Sequence, residues 1–275
     1  MTPGGLARRH VAETGSTNSD LLAEVHAEAA AGASFSPRLL VADRQTAGRG
    51  RHGRRWQSTE GASLTFSLAW PVAAAVDLSG LSLAVGVALA DTLDPDRGHE
   101  PSALRIGLKW PNDLWLVGGP RVDAGAAIGR KLGGVLIEMA PCGATIRVAV
   151  IGVGLNVRAQ AVDGASSGVA SLAEIDAAAT PDLALQSLLP GLVAALERFE
   201  RDGFAAFADR FDARDLLRGR AVGSARSGDA EAALEGVAVG VTANGELLLE
   251  TPAGIRAIRS GEVRLRPLDA VPLPC

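Results

Sequence analysis

The sequence is poor in cysteine and in long apolar runs, and both shortages exclude classes of protein. Its two cysteines, Cys142 and Cys275, are too few for a disulfide framework or for a zinc site built from cysteine alone. The longest apolar run, residues 78–93, is shorter than the roughly 18–20 residues of a membrane helix and contains Asp91, so it predicts a buried helix. Because the N-terminus also lacks the apolar core of a signal peptide, we expect a cytoplasmic protein.

An excess of positive charge is also missing. The formal net charge is −4 at pH 7, whereas proteins that coat nucleic acids carry a basic excess. Of the 275 residues, 47% are hydrophobic and 21% charged. This composition is typical of a globular protein with one large domain, or with one domain and a small appendage.

Lysine is scarce as well, because only Lys109 and Lys131 among 27 basic residues are not arginine. A compositional bias explains the arginines but not the two exceptions. An ammonium group can approach an anion end-on, which a planar guanidinium cannot do. Both lysines are therefore candidates for positions with special chemistry.

The order of the predicted elements indicates an α+β fold. Strands and helices are mixed without strict alternation, which predicts a mixed sheet flanked by helices rather than a doubly wound sheet. From about Leu217, short alternating runs and the turn Asn244-Gly245 predict five or so strands in a small β-barrel. We therefore expect a main domain over residues 1–216 and a second domain over 217–275.

Several local features predict where elements begin and end. Thr17 is a candidate N-cap, with Asp20 three residues later. Pro71 is expected to end a strand, and Pro190 to kink or split a helix. A second helix is expected over residues 203–212. The Gly-rich stretch between Val117 and Arg130, at positions 118–130, predicts an extended surface loop.

The segment 43–56, DRQTAGRGRHGRRW, carries the sharpest chemical signal. Five arginines are interleaved with three glycines within twelve residues. Glycine lets the backbone curl round a ligand, and guanidinium groups hold carboxylate or phosphate oxygens in a forked geometry. Trp56 is suited to stack on a planar ring. The alternatives are an exposed basic loop or a nucleic-acid patch, and the acidic net charge favours a small anionic ligand.

Two later segments hold further candidate residues. In LKWPNDLWL (108–116), Asn112 and Asp113 follow a strand and could hold Mg²⁺ or an amine, although Pro-Asn-Asp is also a common turn. In GRKLGGVLIEM (129–139), Lys131 precedes two glycines, so its ammonium either lies over a ligand or snorkels at the surface.

Two more segments favour close contacts with the backbone or with polar groups. In VIGVGLNV (150–157), Gly152 and Gly154 leave one face of a strand bare, which indicates that something approaches the backbone closely. This spacing is not that of a dinucleotide-binding turn. In GSTN (15–18), hydroxyls and an amide cluster where a strand meets a helix, and N-capping explains only one of them.

Taken in order, these motifs resemble those of the biotin–protein ligases. The order is STN, Q-x-x-GRGR-x-G-R-x-W, KWPND, RKLGG-x-L-x-E and IG-x-G-x-N, over about residues 9–160. The β-rich tail resembles the SH3-like C-terminal domain of that family. The resemblance implies that residues 1–216 form a catalytic domain with a class II synthetase-like fold. It also implies a short form without an N-terminal DNA-binding domain, because STN begins at residue 16.

The resemblance implies an ATP-dependent ligase. Such an enzyme joins biotin to ATP as biotinyl-5′-AMP and transfers the biotin to a lysine on the biotin carboxyl carrier domain of an acyl-CoA carboxylase. The implied catalytic residues are Lys131, Arg49 and Arg51. The implied biotin-binding residues are Ser16, Thr17, Asn18, Gln45, Gly48, Arg49, Gly50, Arg51, Lys131, Gly133, Gly134, Gly152 and Gly154. The implied ATP-binding residues are Arg49, Arg51, Trp56, Asn112, Asp113, Lys131 and Asn156.

Further expectations concern cofactors and partners. Mg²⁺ is expected with the ATP phosphates, with Asn112 as a candidate ligand. A weak homodimer is expected, and DNA or membrane partners are not. Three alternative functions are a lipoate-type ligase, a nucleic-acid-binding module and a biotin sensor without catalysis.

Overall fold

A computed structural model describes residues 6–95, 104–118, 129–164, 168–225, 234–259 and 264–267. The strands of the larger sheet are β1 (Ala7–Thr14), β2 (Arg38–Gln45), β3 (Ser63–Ala73), β4 (Arg105–Lys109), β5 (Asp113–Val117), β6 (Arg130–Cys142) and β7 (Ile146–Asn156). The helices are α1 (Thr17–Ala30), α2 (Leu81–Leu93), α3 (Pro181–Asp202) and α4 (Ala208–Asp212). The C-terminal strands are β8 (Ala221–Ala225), β9 (Leu234–Val241), β10 (Leu247–Thr251), β11 (Gly254–Ile258) and β12 (Arg264–Pro267). Most of the predicted Gly-rich loop, residues 119–128, and Cys275 lie outside the described residues.

The larger sheet has the strand order β1-β2-β3-β7-β6-β5-β4. The β1–β2 pair is parallel, because α1 crosses over between these strands, and the other neighbouring pairs are antiparallel. Helix α1 packs on one face, against β3, β6 and β7, while α2 and α3 pack on the other. The prediction of a mixed sheet flanked by helices is therefore confirmed.

Strand β7 lies inside the sheet and is buried on both faces. Val148 and Val150 belong to the hydrophobic cluster under α1, whereas Ala149 and Ile151 belong to the larger cluster under α2 and α3. This division follows from the period of two along a strand. On α1, Leu21 is 1% exposed, and burial of such a side chain stabilises the fold by about 1.5–3 kcal/mol.

The C-terminal strands form a second, antiparallel sheet in the order β11-β10-β9-β8-β12. As predicted, the chain turns at Asn244-Gly245 between two antiparallel strands, with Gly245 at φ 77°. A hydrogen bond joins this region to the larger sheet, because the indole nitrogen of Trp110 donates to the Gly245 carbonyl at 2.9 Å. Ahead of the C-terminal strands, the backbone on either side of Asp215 pairs with Leu108.

Two predicted boundaries are wrong, and hydrogen bonding explains both. Ser16, not Thr17, is the N-cap of α1, because the Ser16 side chain accepts from the backbone N–H of Ser19. Pro71 does not end its strand, since β3 continues to Ala73. Strand β2 pairs with β3 only as far as Ala69. Pro71 lies beyond this pairing, so its missing N–H removes no hydrogen bond to β2.

The expectations for the C-terminal helices also need correction. Helix α3 is continuous through Pro190, so the expected split does not occur. Buried side chains on both sides, including Leu189 and Leu192, hold the helix against the core, and this packing outweighs the lost hydrogen bond. The expected helix at 203–212 is a short 3-10 turn, Phe204–Phe207, followed by α4.

None of the helices in the described ranges combines the length and apolar character required to cross a lipid bilayer.

Candidate active site

A cleft lies over the face of the large sheet where β3, β7 and β6 run side by side. In the register of these strands, Gly152 lies between Ser67 and Leu136, and Gly154 lies between Thr65 and Gly134. Three neighbouring positions of one sheet face therefore carry no side chain. This bare surface forms the floor of the cleft.

Two side chains of the chain itself approach these glycines. A Cβ atom added to Gly152 would lie 2.4 Å from Oδ1 of Asn18, and one added to Gly154 would lie 2.5 Å from Cε2 of Trp56. The predicted close approach to this strand is thus present. It is made by Asn18 and Trp56, which also line the cleft, and no side chain larger than hydrogen fits at either glycine without movement.

At one end of the cleft, neutral polar side chains form a connected network. The hydroxyl of Ser67 lies 2.6 Å from both the Thr17 hydroxyl and the Asn18 Oδ1 atom. The backbone N–H and the hydroxyl of Thr17 both donate to Oε1 of Gln45, at 2.7 and 3.1 Å. Ser67, Thr17 and Asn18 are buried. The network joins the start of α1 to β2 and β3 and fixes the orientation of each group.

At the other end, charged side chains cluster around Asp113. The ammonium of Lys131 donates to Oδ1 of Asp113 at 2.7 Å. Burial lowers the pKa of Lys109, with Lys131 and Arg54 acting in the same direction and Asp113 opposing them. Burial also lowers the pKa of Arg51, and again Asp113 opposes the change. The cations outnumber the carboxylate that they surround, so this end of the cleft attracts anions.

The arginine-rich segment forms one wall of the cleft. Its backbone closes on itself, since the N–H of Gly50 donates to the Arg54 carbonyl at 2.7 Å. His52 adopts a left-handed conformation, with φ at 56°, inside a short 3-10 turn. Arg49 forms an ion pair with Glu138 on β6 at 2.5 Å. The segment therefore contacts the sheet through a side chain as well as through its own flanking strands.

The cleft brings together most of the predicted site residues. Those that line it are Ser16, Thr17, Asn18, Gln45, Arg49, Gly50, Arg51, Trp56, Asn112, Asp113, Lys131, Gly134, Gly152 and Gly154. Motifs that are distant in the sequence thus share one surface. Their roles toward a ligand stay predictions.

Three predicted site residues do not line this cleft. A Cβ atom on Gly48 would meet the carbonyl oxygen of Trp56 at 2.5 Å, and one on Gly133 would meet the carbonyl oxygen of Gly154 at 2.4 Å. Both glycines thus allow close packing of backbone segments. Asn156 is buried, and its side-chain amide donates to the Lys131 carbonyl at 3.4 Å, so it supports the strand that carries Lys131.

Some residues of the cleft were not assigned a role from the sequence. Lys109 and Arg54 line the cleft. Ser67 and Glu138 contact residues that line it, namely Asn18 and Arg49. The scarcity of lysine was a usable signal for Lys109. Glu138 ends the motif RKLGG-x-L-x-E, but nothing in the sequence pairs it with Arg49. Ser67 gave no signal, because its partners are 49 and 50 residues away.

The described residues contain no group of three or more histidine, cysteine, aspartate or glutamate side chains that could hold a metal. Asn112 turns its amide nitrogen to the Val135 carbonyl at 2.9 Å, and Asp113 already accepts from Lys131. This donor set does not make a resident metal site. It fits an ion that arrives with a phosphate ligand and keeps most of its water.

The geometry therefore supports a ligand with a neutral polar part at one end and an anionic part at the other. Two segments of the chain match family models, residues 30–156 that of the Biotin/lipoate A/B protein ligase family and residues 224–266 that of the Biotin protein ligase C terminal domain.

Individual proteins are similar over longer stretches. The chain is 36% identical to a biotin–[acetyl-CoA-carboxylase] ligase of Mycobacterium tuberculosis, over 92% of this chain and 86% of the relative. It is 34% identical to the bifunctional ligase/repressor BirA of Salmonella typhimurium, over 82% of this chain and 66% of that relative. The chain thus spans about two thirds of the length of that relative. A solved structure of a biotin protein ligase from Aquifex aeolicus in complex with biotin and ATP superposes with a TM-score of 0.72 at 26% identity, covering 95% of this chain and 99% of that one.

Proposed function

The chain belongs to the biotin–protein ligase family, and on that premise we propose that it attaches biotin to a carrier protein at the expense of ATP. In the first step, a carboxylate oxygen of biotin attacks the α-phosphorus of ATP, which forms biotinyl-5′-AMP and releases pyrophosphate. In the second step, the amine of a carrier lysine attacks the biotinyl carbonyl. An amide forms, AMP leaves, and the amine gives up a proton.

The neutral end of the cleft suits the uncharged ureido ring of biotin. Oε1 of Gln45 accepts two hydrogen bonds from Thr17, which leaves the Nε2 group of Gln45 to serve as a donor. The hydroxyl of Ser16 lies at the same place at the start of α1 and lines the cleft. Neutral donors and acceptors held in fixed positions bind such a ring without the cost of burying a charge.

The charged end suits the acid group of biotin and the phosphates. A carboxylate approaches a triphosphate only when the repulsion between the two anions is screened. Lys131, Arg49 and Arg51 provide that screening on one side of the cleft, in a position set before the ligand arrives. Asp113, next to Lys131, is placed to accept a hydrogen bond from the incoming amine in the second step.

The adenine and the metal ion complete the proposed complex. Trp56 lies against Gly154 at the wall of the cleft, and its indole offers an aromatic surface for the adenine. Mg²⁺ would enter with the ATP phosphates, with Asn112 and Asp113 as the residues that would help to hold it, and would supply further screening of the phosphate charge.

The remaining proposals concern context. The acceptor is a lysine of the biotin carboxyl carrier domain of an acyl-CoA carboxylase, and the enzyme works in the cytoplasm as a weak homodimer. The catalytic domain extends over residues 1–216 and the C-terminal domain over 217–275. The Trp110–Gly245 hydrogen bond supports a C-terminal domain that packs directly behind the KWPND motif.

The observation that carries the proposal is the meeting of Lys131 and the arginine-rich segment with the Thr17–Gln45–Ser67 network in one cleft. The test is to incubate the protein with ATP, Mg²⁺ and either biotin or lipoate, and to detect the acyl-AMP by mass spectrometry. We expect biotinyl-AMP and pyrophosphate, and neither product with Lys131→Met. Formation of lipoyl-AMP alone would favour the lipoate ligase, and binding of biotin without pyrophosphate release would favour a sensor.

A further inference from the structure

We propose that Glu138 is a positioning residue that holds Arg49 toward the cleft before any ligand binds. The inference rests on the proposed function for its effect on biotin, but not for its effect on the ligand-free protein. Glu138 lies on β6, and its Oε2 atom accepts two hydrogen bonds from different parts of the chain. One comes from Nδ2 of Asn18 at 2.9 Å, and the other from a terminal guanidinium nitrogen of Arg49 at 2.5 Å.

The Asn18 contact fixes where this carboxylate lies. Asn18 is 4% exposed, and its amide is bound on all sides, with Oδ1 accepting from Ser67 and Nδ2 donating to the Leu136 carbonyl and to Glu138. A buried amide of this kind has no freedom to turn, because turning would leave several groups unpaired. Glu138 is therefore held by a buried partner on one side and can hold the more exposed Arg49 on the other.

Arg49 is the more exposed partner. Its side chain is 43% exposed, whereas that of Glu138 is 27% exposed. A half-exposed arginine on a glycine-rich segment samples many rotamers unless something restrains it. The ion pair selects the rotamers that direct the guanidinium to β6, along the rim of the cleft that Arg49 lines.

This ion pair does not prevent Arg49 from binding an anion. A guanidinium has five N–H donors in a fixed fork, and one nitrogen suffices for Glu138. The remaining donors can reach a carboxylate or phosphate oxygen at the same time. Glu138 thus acts by positioning Arg49, and its removal should weaken binding because the side chain must then be ordered when the ligand binds.

The chain offers a closely matched control in Glu24 on α1. Glu24 is also 27% exposed and also pairs with two other elements, through Arg9 on β1 and Arg38 on β2, but it lies outside the cleft. Glu24→Gln removes a carboxylate of equal exposure. It should therefore report the general effect of losing such a pair.

The first measurement is limited trypsin digestion of the ligand-free full chain, because trypsin cleaves after arginine and the segment contains Arg49, Arg51, Arg54 and Arg55. For Glu138→Ala and for Glu138→Gln, which preserves the volume, we expect cleavage within 49–55 to be about three- to tenfold faster than in the wild type and in Glu24→Gln. Cleavage elsewhere should be unchanged. Equal rates within 49–55 in all four proteins, or faster cleavage throughout the chain, would overturn the proposal.

The second measurement is pyrophosphate release as a function of biotin concentration. We expect Glu138→Gln to raise the KM for biotin about three- to tenfold with kcat within twofold of the wild type, and to add little to the effect of Arg49→Ala when the two are combined. A full additional loss in the double variant would overturn the proposal. A wild-type protein without activity would refute the proposed function, and the digestion result would still decide the role of Glu138.

Discussion

The two ends of the cleft are built in opposite ways. At the neutral end, Ser67, Thr17 and Asn18 are buried and their polar groups bind one another. At the charged end, Lys131 and Asp113 are 34% and 22% exposed, and their neighbours add further positive charge. The buried groups of the neutral end thus bind one another without a ligand, whereas the other end carries an excess of positive charge that an anionic ligand can neutralise.

This difference indicates that the two ends of the cleft have different functions. A satisfied buried network contributes to stability and presents the same groups to every ligand, so it provides specificity. A cluster of like charges costs stability, but it stabilises an anionic transition state without having to rearrange. We therefore expect substitutions at the charged end to lower kcat and those at the neutral end to weaken binding and folding.

The largest expected effect comes from Lys131→Arg, which keeps the charge. The ammonium lies between Asp113 and Gly134, where a Cβ atom added to the glycine would be 3.6 Å away. A broad, planar guanidinium does not fit there in the same way. We expect adenylation, measured as pyrophosphate release, to fall about 100-fold.

The other lysine provides the comparison for this substitution. The ammonium of Lys109 lies 4.6 Å from the ring centre of Trp115, and a guanidinium also stacks well on an indole. Lys109→Arg should therefore lose much less activity than Lys131→Arg. Equal losses in the two variants would mean that the cleft needs only positive charge, and the special role of Lys131 would be refuted.

A moderate effect is expected from Ser67→Ala at the neutral end. The substitution removes the hydroxyl that lies 2.6 Å from both the Thr17 hydroxyl and the Asn18 Oδ1 atom, in a buried environment. An unpaired buried group costs about 1–3 kcal/mol. We expect the unfolding free energy in urea to fall by about 1–2 kcal/mol and the KM for biotin to rise about tenfold.

The kinetic readout separates the two ends. Because Ser67 contacts Thr17 and Asn18 rather than Lys131 or Asp113, kcat at saturating biotin should stay within a few-fold of the wild type. A loss in kcat as large as that of Lys131→Arg would show that the two ends do not act independently. In that case the proposal that one end determines binding and the other determines kcat would be wrong.

The sequence alone predicts the fold class and most of the cleft. The reason is that short motifs such as GRGR and KWPND carry their chemistry within a few adjacent residues. It does not reveal Ser67, which lies in the alternating strand ASLTFSLAW and resembles an ordinary solvent-facing serine. Its importance depends on Thr17 and Asn18, and a contact across some 50 residues is decided by how α1 packs on the sheet.

The same reasoning explains what the structure shows at Pro190 and Gly133. Local rules treat proline as a helix breaker and paired glycines as room for a ligand. In the folded chain, α3 continues through Pro190 with buried side chains on both sides, and the Gly154 backbone occupies the space beside Gly133. Both outcomes are set by tertiary contacts, which a local pattern does not contain.

The smallest effect on activity is expected from Asp215→Asn, which tests a charge buried away from both ends of the cleft. Oδ1 of Asp215 accepts from the Leu217 N–H at 2.8 Å, while Oδ2 is buried without a hydrogen-bond partner among the described residues. Burial raises the pKa of Asp215 from 3.8 to about 6, and the nearby Asp212 acts in the same direction.

The sign of the effect on stability follows from this shift. The unfolded chain loses the proton near pH 4 and the folded chain near pH 6, so the folded state binds more protons between these values and its stability falls as the pH rises through them. Asp215→Asn removes the titrating carboxyl and with it this fall in stability. We expect urea unfolding to show that the variant gains on the order of 1–2 kcal/mol relative to the wild type between pH 4.5 and pH 7. Biotin activation should be unchanged, because Asp215 does not line the cleft. If the unfolding free energies of the two proteins changed with pH in parallel, water would reach Asp215 in the folded state. The proposed difference between the partly exposed charges of the cleft and a fully buried charge outside it would then be wrong.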